Sequence, residues 1–581
     1  MRRICKKAVS MIMVLVLLTS GFILNGCAGK KSGDEPIQLT VYSQLASYSG
    51  KLTGWFAQIM KEKYNVEMTI IPDFDGSYET RMEEGDLGDI VVFGNDGNDY
   101  QQAVKEGMLY DWNDEDLLTN YGAYIKDNMT YALDKNRELT ETIYKNQGIS
   151  DEPAIFGIGN NVATSSKDHE SFFYTWDLRW DLYTQLGFPE IKNLEDYYNL
   201  MVAMKELCPT DENGEETYAV SLFPDWDDNM VMYIKAFATA YWGYDELGLG
   251  LYDVENGSFH YALEEDGPYL QSLAFFNKLF RAGLVDPDSM AQTCTEAGEK
   301  VQNGGTFSSI FSFCGSSVYN TQAHIDNNQM MLALTPEDAT PICYGMNVAG
   351  ANRIWAIGSD TAYPELCMEI INYLATPEGY MTYNYGPMAD SADDEDGCWY
   401  IGEDGLSYFT ELGKAIFTDR DTQMPESAGG GKFSDGVCAI NNTTWSYDAT
   451  NPLTGGVERY NASSWLSQQV RANCQVEQDW RNLTGCTTTE EYMNGLKYKV
   501  AIATNYTEST KSDELSVTWN QVSNCIKTYT WKAIYAKTEK EYQSIVKEMV
   551  AQCKEYDPDG TCLAWCENEA SIKNALEQQY K

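Results

Sequence analysis

The chain is 581 residues long, 43% hydrophobic and 13% aromatic, with 87 acidic against 41 basic residues and a formal net charge of −46. That length exceeds what one hydrophobic core can serve, so it implies roughly three or four domain-sized units, or two large elaborated lobes; the apolar content excludes a disordered chain. So acidic a field repels phosphate backbones, which excludes nucleic acid as a partner and favours an uncharged or cationic ligand.

Residues 1–26 read as an address. Arg2, Arg3, Lys6 and Lys7 form a basic start, Ala8 to Leu24 an apolar stretch, and Gly26 precedes Cys27. The close resembles the bacterial lipobox, whose cysteine carries the lipid; plain secretion is the alternative. On this reading residues 1–26 are a lipoprotein signal peptide, Cys27 is the lipidation site, and residues 27–36 are a polar tether. The protein is then anchored on the bacterial cell membrane, facing outside. Of the 15 cysteines, Cys5 and Cys27 belong to this segment, and the remaining odd number includes no Cys-x-x-Cys. Cys553, Cys562 and Cys566 lie close enough in sequence for a disulfide, while Cys367 falls on an apolar stripe with Ile370, Ile371 and Leu374 and reads as core.

Ile37 to Tyr42 alternates as a strand, Leu52 to Tyr64 reads as a helix, and Val66 to Ile71 as a second strand ending at Pro72. Ile90 to Phe93 is an unbroken apolar run between Gly/Asp turns, which suits a strand buried on both faces. Tyr100 to Glu106 is a helix stopped by Gly107. Strand, helix, strand, helix in this order predicts a parallel α/β sheet, whose ligands gather beyond the carboxyl ends of its strands. Asp75, Asn95 and Asp96 stand on that rim. Ile155 to Gly159 is a short strand leading into a second lobe that opens with the aromatic run Phe172 to Asp181. Asn193 and Asp196 read as the cap of a helix with Leu194, Tyr197, Met201 and Met204 on its apolar face, and Tyr218 to Phe223 as a strand.

Gly85-Asp86-Leu87-Gly88-Asp89-Ile90 resembles the Gly-Asp-Leu-Pro-Asp-Ile segment of family 1 extracellular solute-binding proteins, the carbohydrate-binding lipoproteins of ABC transporters, with Gly88 in place of proline. Similar segments follow in the family's order: Arg179-Trp180-Asp181-Leu182 with Leu186-Gly187, then Asn277 to Asp286, Val301 to Gly304, Glu369 to Gly379 and Gly397 to Gly405. The resemblance implies a periplasmic-binding-protein-like (type II) fold, two doubly wound α/β lobes joined by a hinge. Residues 37–155 and 346–390 would make lobe 1. Residues 156–345 and a helical tail, 391–581, would make lobe 2. It further implies a monomer, not an enzyme, that hands an oligosaccharide to ABC-transporter permease subunits.

A sugar ring has a polar rim and an apolar face, so a binder needs aromatic platforms edged by carboxylates and amides. Trp226 and Asp227, directly after a strand, are the leading candidates; Trp242, Trp399 and Trp445 join them, although an indole is as often core as platform. The turn Asp211-Glu212-Asn213-Gly214-Glu215 presents oxygens at alternate positions, making Asp211, Asn213 and Glu215 a weak calcium candidate without the full twelve-residue loop. No other cofactor is implied. The glycine-rich stretch Ser427 to Gly436 lacks a phosphate-loop pattern and reads as a loop folding over the cleft. The alternatives are a surface glycoside hydrolase, for which three histidines and no catalytic motif offer little, and a receptor of the same fold for a peptide or a quaternary amine.

Overall fold

The strand β1 (Ile37–Ser43) is central to the first sheet in the computed structural model, which describes residues 35–73, 77–149, 152–436, 440–469 and 471–581. The leader and Cys27 lie outside the described residues. Helix α1 (Trp55–Tyr64) carries the chain to β2 (Val66–Pro72), which pairs parallel with β1, and β3 (Ile90–Phe93) pairs parallel on the other side. Every residue of β3 is buried, as a strand covered on both faces must be. Helix α2 (Asn98–Glu106) ends at Gly107 in the left-handed conformation, and α3 (Thr130–Gln147) follows. The sheet is completed by β4 (Gly157–Gly159) at its edge.

The chain then enters a second core. There β5 (Tyr174–Arg179) is flanked by α4 (Leu194–Leu207), α5 (Met232–Trp242) and α6 (Pro268–Arg281). Asn193 caps α4, accepting from the backbone N–H groups of Glu195 and Asp196. Strands β6 (Ser308–Phe311) and β7 (Met331–Ala333) pair antiparallel with β5 on either side. Tyr218 to Phe223, expected as a strand, makes only single bridges, Tyr218 to Thr306 and Val220 to Val285. Trp176, in the middle of β5, has φ 53°, and the β5–β6 register shifts between Ser309 and Phe311. This bulge turns its indole into the core, where Nε1 donates to the Ala240 carbonyl at 3.0 Å.

Strand β8 (Ile342–Tyr344) leads back to β9 (Ile354–Ile357), which is antiparallel to both β3 and β4 and closes the first sheet. One face of that sheet buries Val41, Ile90, Val92 and Trp355 with α7 (Pro364–Ala375); the other buries Tyr42, Val91, Phe93 and Ile354 with α2. The two lobes therefore have separate cores, each larger than a small domain needs.

The tail corrects one expectation. Residues 391–581 were expected to belong wholly to lobe 2, yet Cys398, Trp399, Phe409, Phe433, Trp445 and Trp465 pack into the first core. Only from Val476 does the chain rejoin the second, through β10 (Lys499–Ala501), α8 (Asp513–Ile534), α9 (Glu539–Tyr556) and α10 (Thr561–Glu577). The glycine-rich stretch does not cover a cleft. Phe433 stacks on Trp55 at 5.2 Å and accepts its indole N–H, fixing the loop against the start of α1. Beyond α10 the Tyr580 ring reaches back to lobe 1, 5.5 Å from Tyr131 on α3. All twelve described cysteines are free, including Cys553, Cys562 and Cys566.

Candidate ligand-binding cleft

Among the described residues three stretches of chain join the cores: residues 160–173, residues 342–350, and residues 466–469 with 471–475. The first two run antiparallel and bond to one another, Glu170 N–H to Tyr344 O at 2.8 Å, Met346 N–H to Asp168 O at 3.0 Å and Ala163 N–H to Asn347 O at 3.1 Å. Gly345 lets a third stretch come close on the other side, since a Cβ there would stand 2.8 Å from the Ala501 carbonyl.

A cleft of about 770 Å³ opens over this floor. Its lobe-1 wall is one face of α3, where Lys135, Glu138, Leu139 and Thr142 recur at helical spacing, flanked by Asp96 and the turn Gly350-Ala351-Asn352. The opposite wall is the segment Ala503 to Thr507, held by a side chain of α10: Glu569 accepts from Tyr506 Oη at 2.8 Å and from Ser509 N–H at 3.0 Å. Asn505 accepts from Asn347 Nδ2 at 3.0 Å, tying wall to floor. Lys135 is committed to the protein. Its Nζ donates to Gly350 O and Ala351 O, both at 3.3 Å, and to Asn352 Oδ1 at 3.0 Å, and lies 3.8 Å from Asp96 Oδ2. Burial lowers its pKa, and the Asp96 carboxylate partly offsets that shift.

At Tyr344, the residue before Gly345, the cleft adjoins a second cavity of about 180 Å³ with an aromatic rim. Trp226 is 50% exposed and Phe173 38% exposed. Phe313 lies between them, with ring centroids 5.3 Å and 5.2 Å away. Exposed rings held by neighbouring rings form a platform whose free face invites another apolar face. Beneath it, Tyr344 Oη lies 3.5 Å from Tyr174 Oη and 3.4 Å from Asp245 Oδ1, and Lys235 pairs with Glu246. Burial pushes the Tyr174 phenol up to about 12 and raises the Glu246 carboxyl, the latter countered by Lys235.

Among the candidates from sequence, Asp96 lines the cleft and Trp226 the aromatic cavity. Asn95 is exposed beside Asp96, its Oδ1 accepting from Gly97 N–H at 2.8 Å. Asp75 lies outside the described residues. Asp227 is structural: its two oxygens accept from Met232 N–H, which starts α5, at 2.8 Å and from Trp531 Nε1 at 2.7 Å. Trp242 packs on Tyr241 and Phe237 at the edge of the second core. Trp399 and Trp445 are fully buried in the first core, their indole N–H groups donating to Gly386 O and Ala375 O. Neither ring can reach a ligand. Nor do the residues of the calcium candidate fit an ion. Asp211 Oδ1 is taken by the backbone N–H groups of Asn213 and Glu215, at 2.8 and 2.9 Å, and Asn213 and Glu215 point to solvent in a simple turn. No metal-binding cluster occurs among the described residues. Sequence reasoning missed Phe173, Phe313, Tyr344 and the α3 face; the Phe-x-Phe at 311–313 and the Phe pair at 172–173 were the available signals.

Among the solved structures similar to the chain are substrate-binding and solute-binding proteins of ABC transporters. One is the S. pneumoniae substrate-binding protein FusA in complex with kestose, 14% identical, with a TM-score of 0.42 over 93% of this chain and 99% of that one. Another is the HMO-binding solute-binding protein of Bifidobacterium longum infantis, 12% identical, with a TM-score of 0.46 over 93% of this chain and 99% of that one. By sequence, lipoprotein LipO of Bacillus subtilis is 22% identical over 253 residues, 42% of this chain. The match spans 44% of LipO, under half of its length. No protein-family model matches the chain. No helix among the described residues is long and apolar enough to cross a membrane.

Proposed function

We propose that this protein is a lipid-anchored solute receptor that takes an oligosaccharide into the space between its lobes and presents it to an ABC importer. The observation that carries the reading is the junction of two surfaces at Tyr344-Gly345. An exposed aromatic platform continues into a polar cleft between two separately folded cores. A sugar chain offers both partners in one molecule, apolar ring faces for Trp226 and hydroxyl edges for the cleft. The three crossings allow the lobes to change their separation, and a ligand touching both walls shifts the population towards closure. Cys27, which would carry the lipid, and the permease partner belong to the same reading.

The test is a glycan array followed by calorimetry on the mature chain. Saturable retention of an oligosaccharide without turnover, with a raised melting temperature, is the expected result. Trp226→Ala removes about half an indole of contact, worth roughly 2 kcal/mol or ~30-fold in affinity. Cleavage of the glycan, or equal affinity in the variant, overturns the reading.

A further inference from the structure

We propose that the cleft is a charge filter that admits uncharged sugar chains and rejects uronate-bearing ones, with Glu138 and Glu170 as the discriminating residues. This rests on the oligosaccharide reading above and narrows its ligand class.

A sugar carboxylate entering a cleft loses water and must find a cation or a set of N–H donors in exchange. The cleft has one lysine, Lys135, and its ammonium is already shared among Gly350 O, Ala351 O, Asn352 Oδ1 and Asp96. At the aromatic end Lys235 is buried and paired with Glu246. Lys573, behind Tyr506, is paired with Asp245 at 2.9 Å. Each of these three cations is therefore engaged with an acceptor of the protein. The anions are not. Glu138 on the α3 wall and Glu170 on the floor are both exposed, line the same cleft, and have no ion-pair partner among the described residues. A ligand carboxylate entering the cleft meets these two like charges. At a separation of about 5 Å in a water-like dielectric, two such repulsions weaken binding about tenfold. The chain's overall charge of −46 acts in the same direction at long range.

The experiment uses matched ligands at low ionic strength, where exposed charges are least screened. The array first identifies a neutral oligosaccharide that binds. The same chain, with its primary hydroxymethyl groups oxidised to carboxylates, is then compared with it by calorimetry. The oxidised chain is expected to bind at least tenfold more weakly. In the isosteric double variant Glu138→Gln/Glu170→Gln the neutral-to-oxidised affinity ratio should fall about tenfold. Equal affinity for the two chains, or an unchanged ratio in the variant, overturns the filter and leaves the receptor standing. If uronate chains are the array's preferred hits, the filter is likewise refuted while the sugar receptor survives. If no glycan binds at all, the receptor reading falls and takes the filter with it.

Discussion

Asp89 offers a test of whether the two cores are independent. It sits just before β3 and holds both neighbouring strands. One carboxylate oxygen accepts from Thr40 N–H on β1 at 2.7 Å and Thr40 Oγ1 at 2.9 Å; the other accepts from Thr361 Oγ1, beyond β9, at 2.6 Å. Asp89→Ala deletes three hydrogen bonds in a half-buried site, at a net cost of about 1 kcal/mol each, so the variant should lose ~3 kcal/mol. The loss should fall on one lobe. Amide hydrogen exchange followed by peptide mapping should show weakened protection across residues 37–159 and 354–465, with residues 174–334 and 513–577 unchanged. Uniform loss over both sets would mean that the lobes unfold as one unit, and a loss below ~1 kcal/mol would mean that Asp89 does not pin the strands.

Gly88→Pro, which restores the residue usual in the resembling segment, should destabilise the protein by ~3 kcal/mol or more. Gly88 has φ 93°, which proline cannot adopt, and its N–H donates to Asp86 Oδ1 at 2.8 Å; a melting temperature equal to the parent's would contradict this. Glu577 is fully buried on α10, where burial raises its carboxyl above the usual 4.5 despite the hydrogen bond from Tyr252 Oη at 2.8 Å. The folded state holds this proton to higher pH than the unfolded state does, so the group's contribution is full below 4.5 and is lost as pH rises through the raised value. Glu577→Gln should therefore gain stability over the parent at pH 7.5 that it does not gain at pH 4.5, read from urea midpoints; equal differences at the two pH values would refute the assignment.

The first lobe was legible because its signals are local. β1, α1, β2 and β3 lie close together in the chain, and the unbroken apolar run of Ile90 to Phe93 is what a strand covered on both faces requires. The second lobe's sheet was not, because β5 pairs with strands more than a hundred residues downstream and Tyr218 to Phe223 finds only single bridges. Trp399 and Trp445 follow polar turns in sequence, which places them at loop ends but cannot say which side of the loop is buried. Trp226 was found by that same reasoning, its position after Phe223-Pro224 leaving the ring half uncovered. Phe173 and Phe313 were hidden among rings that do pack inward, such as Phe172 and Phe311. The α3 face carries mixed charges at helical spacing, a pattern shared by any solvated helix until an opposite wall is known.

The Tyr580–Tyr131 ring contact makes the last turn of the chain a brace across the mouth between the halves. Any separation of the two lobes would part those rings, so a fluorophore or affinity handle fused after Lys581 would sit beside the contact it is meant to report on. A label on the exposed Ile572, on the outer surface of α10, would leave it undisturbed.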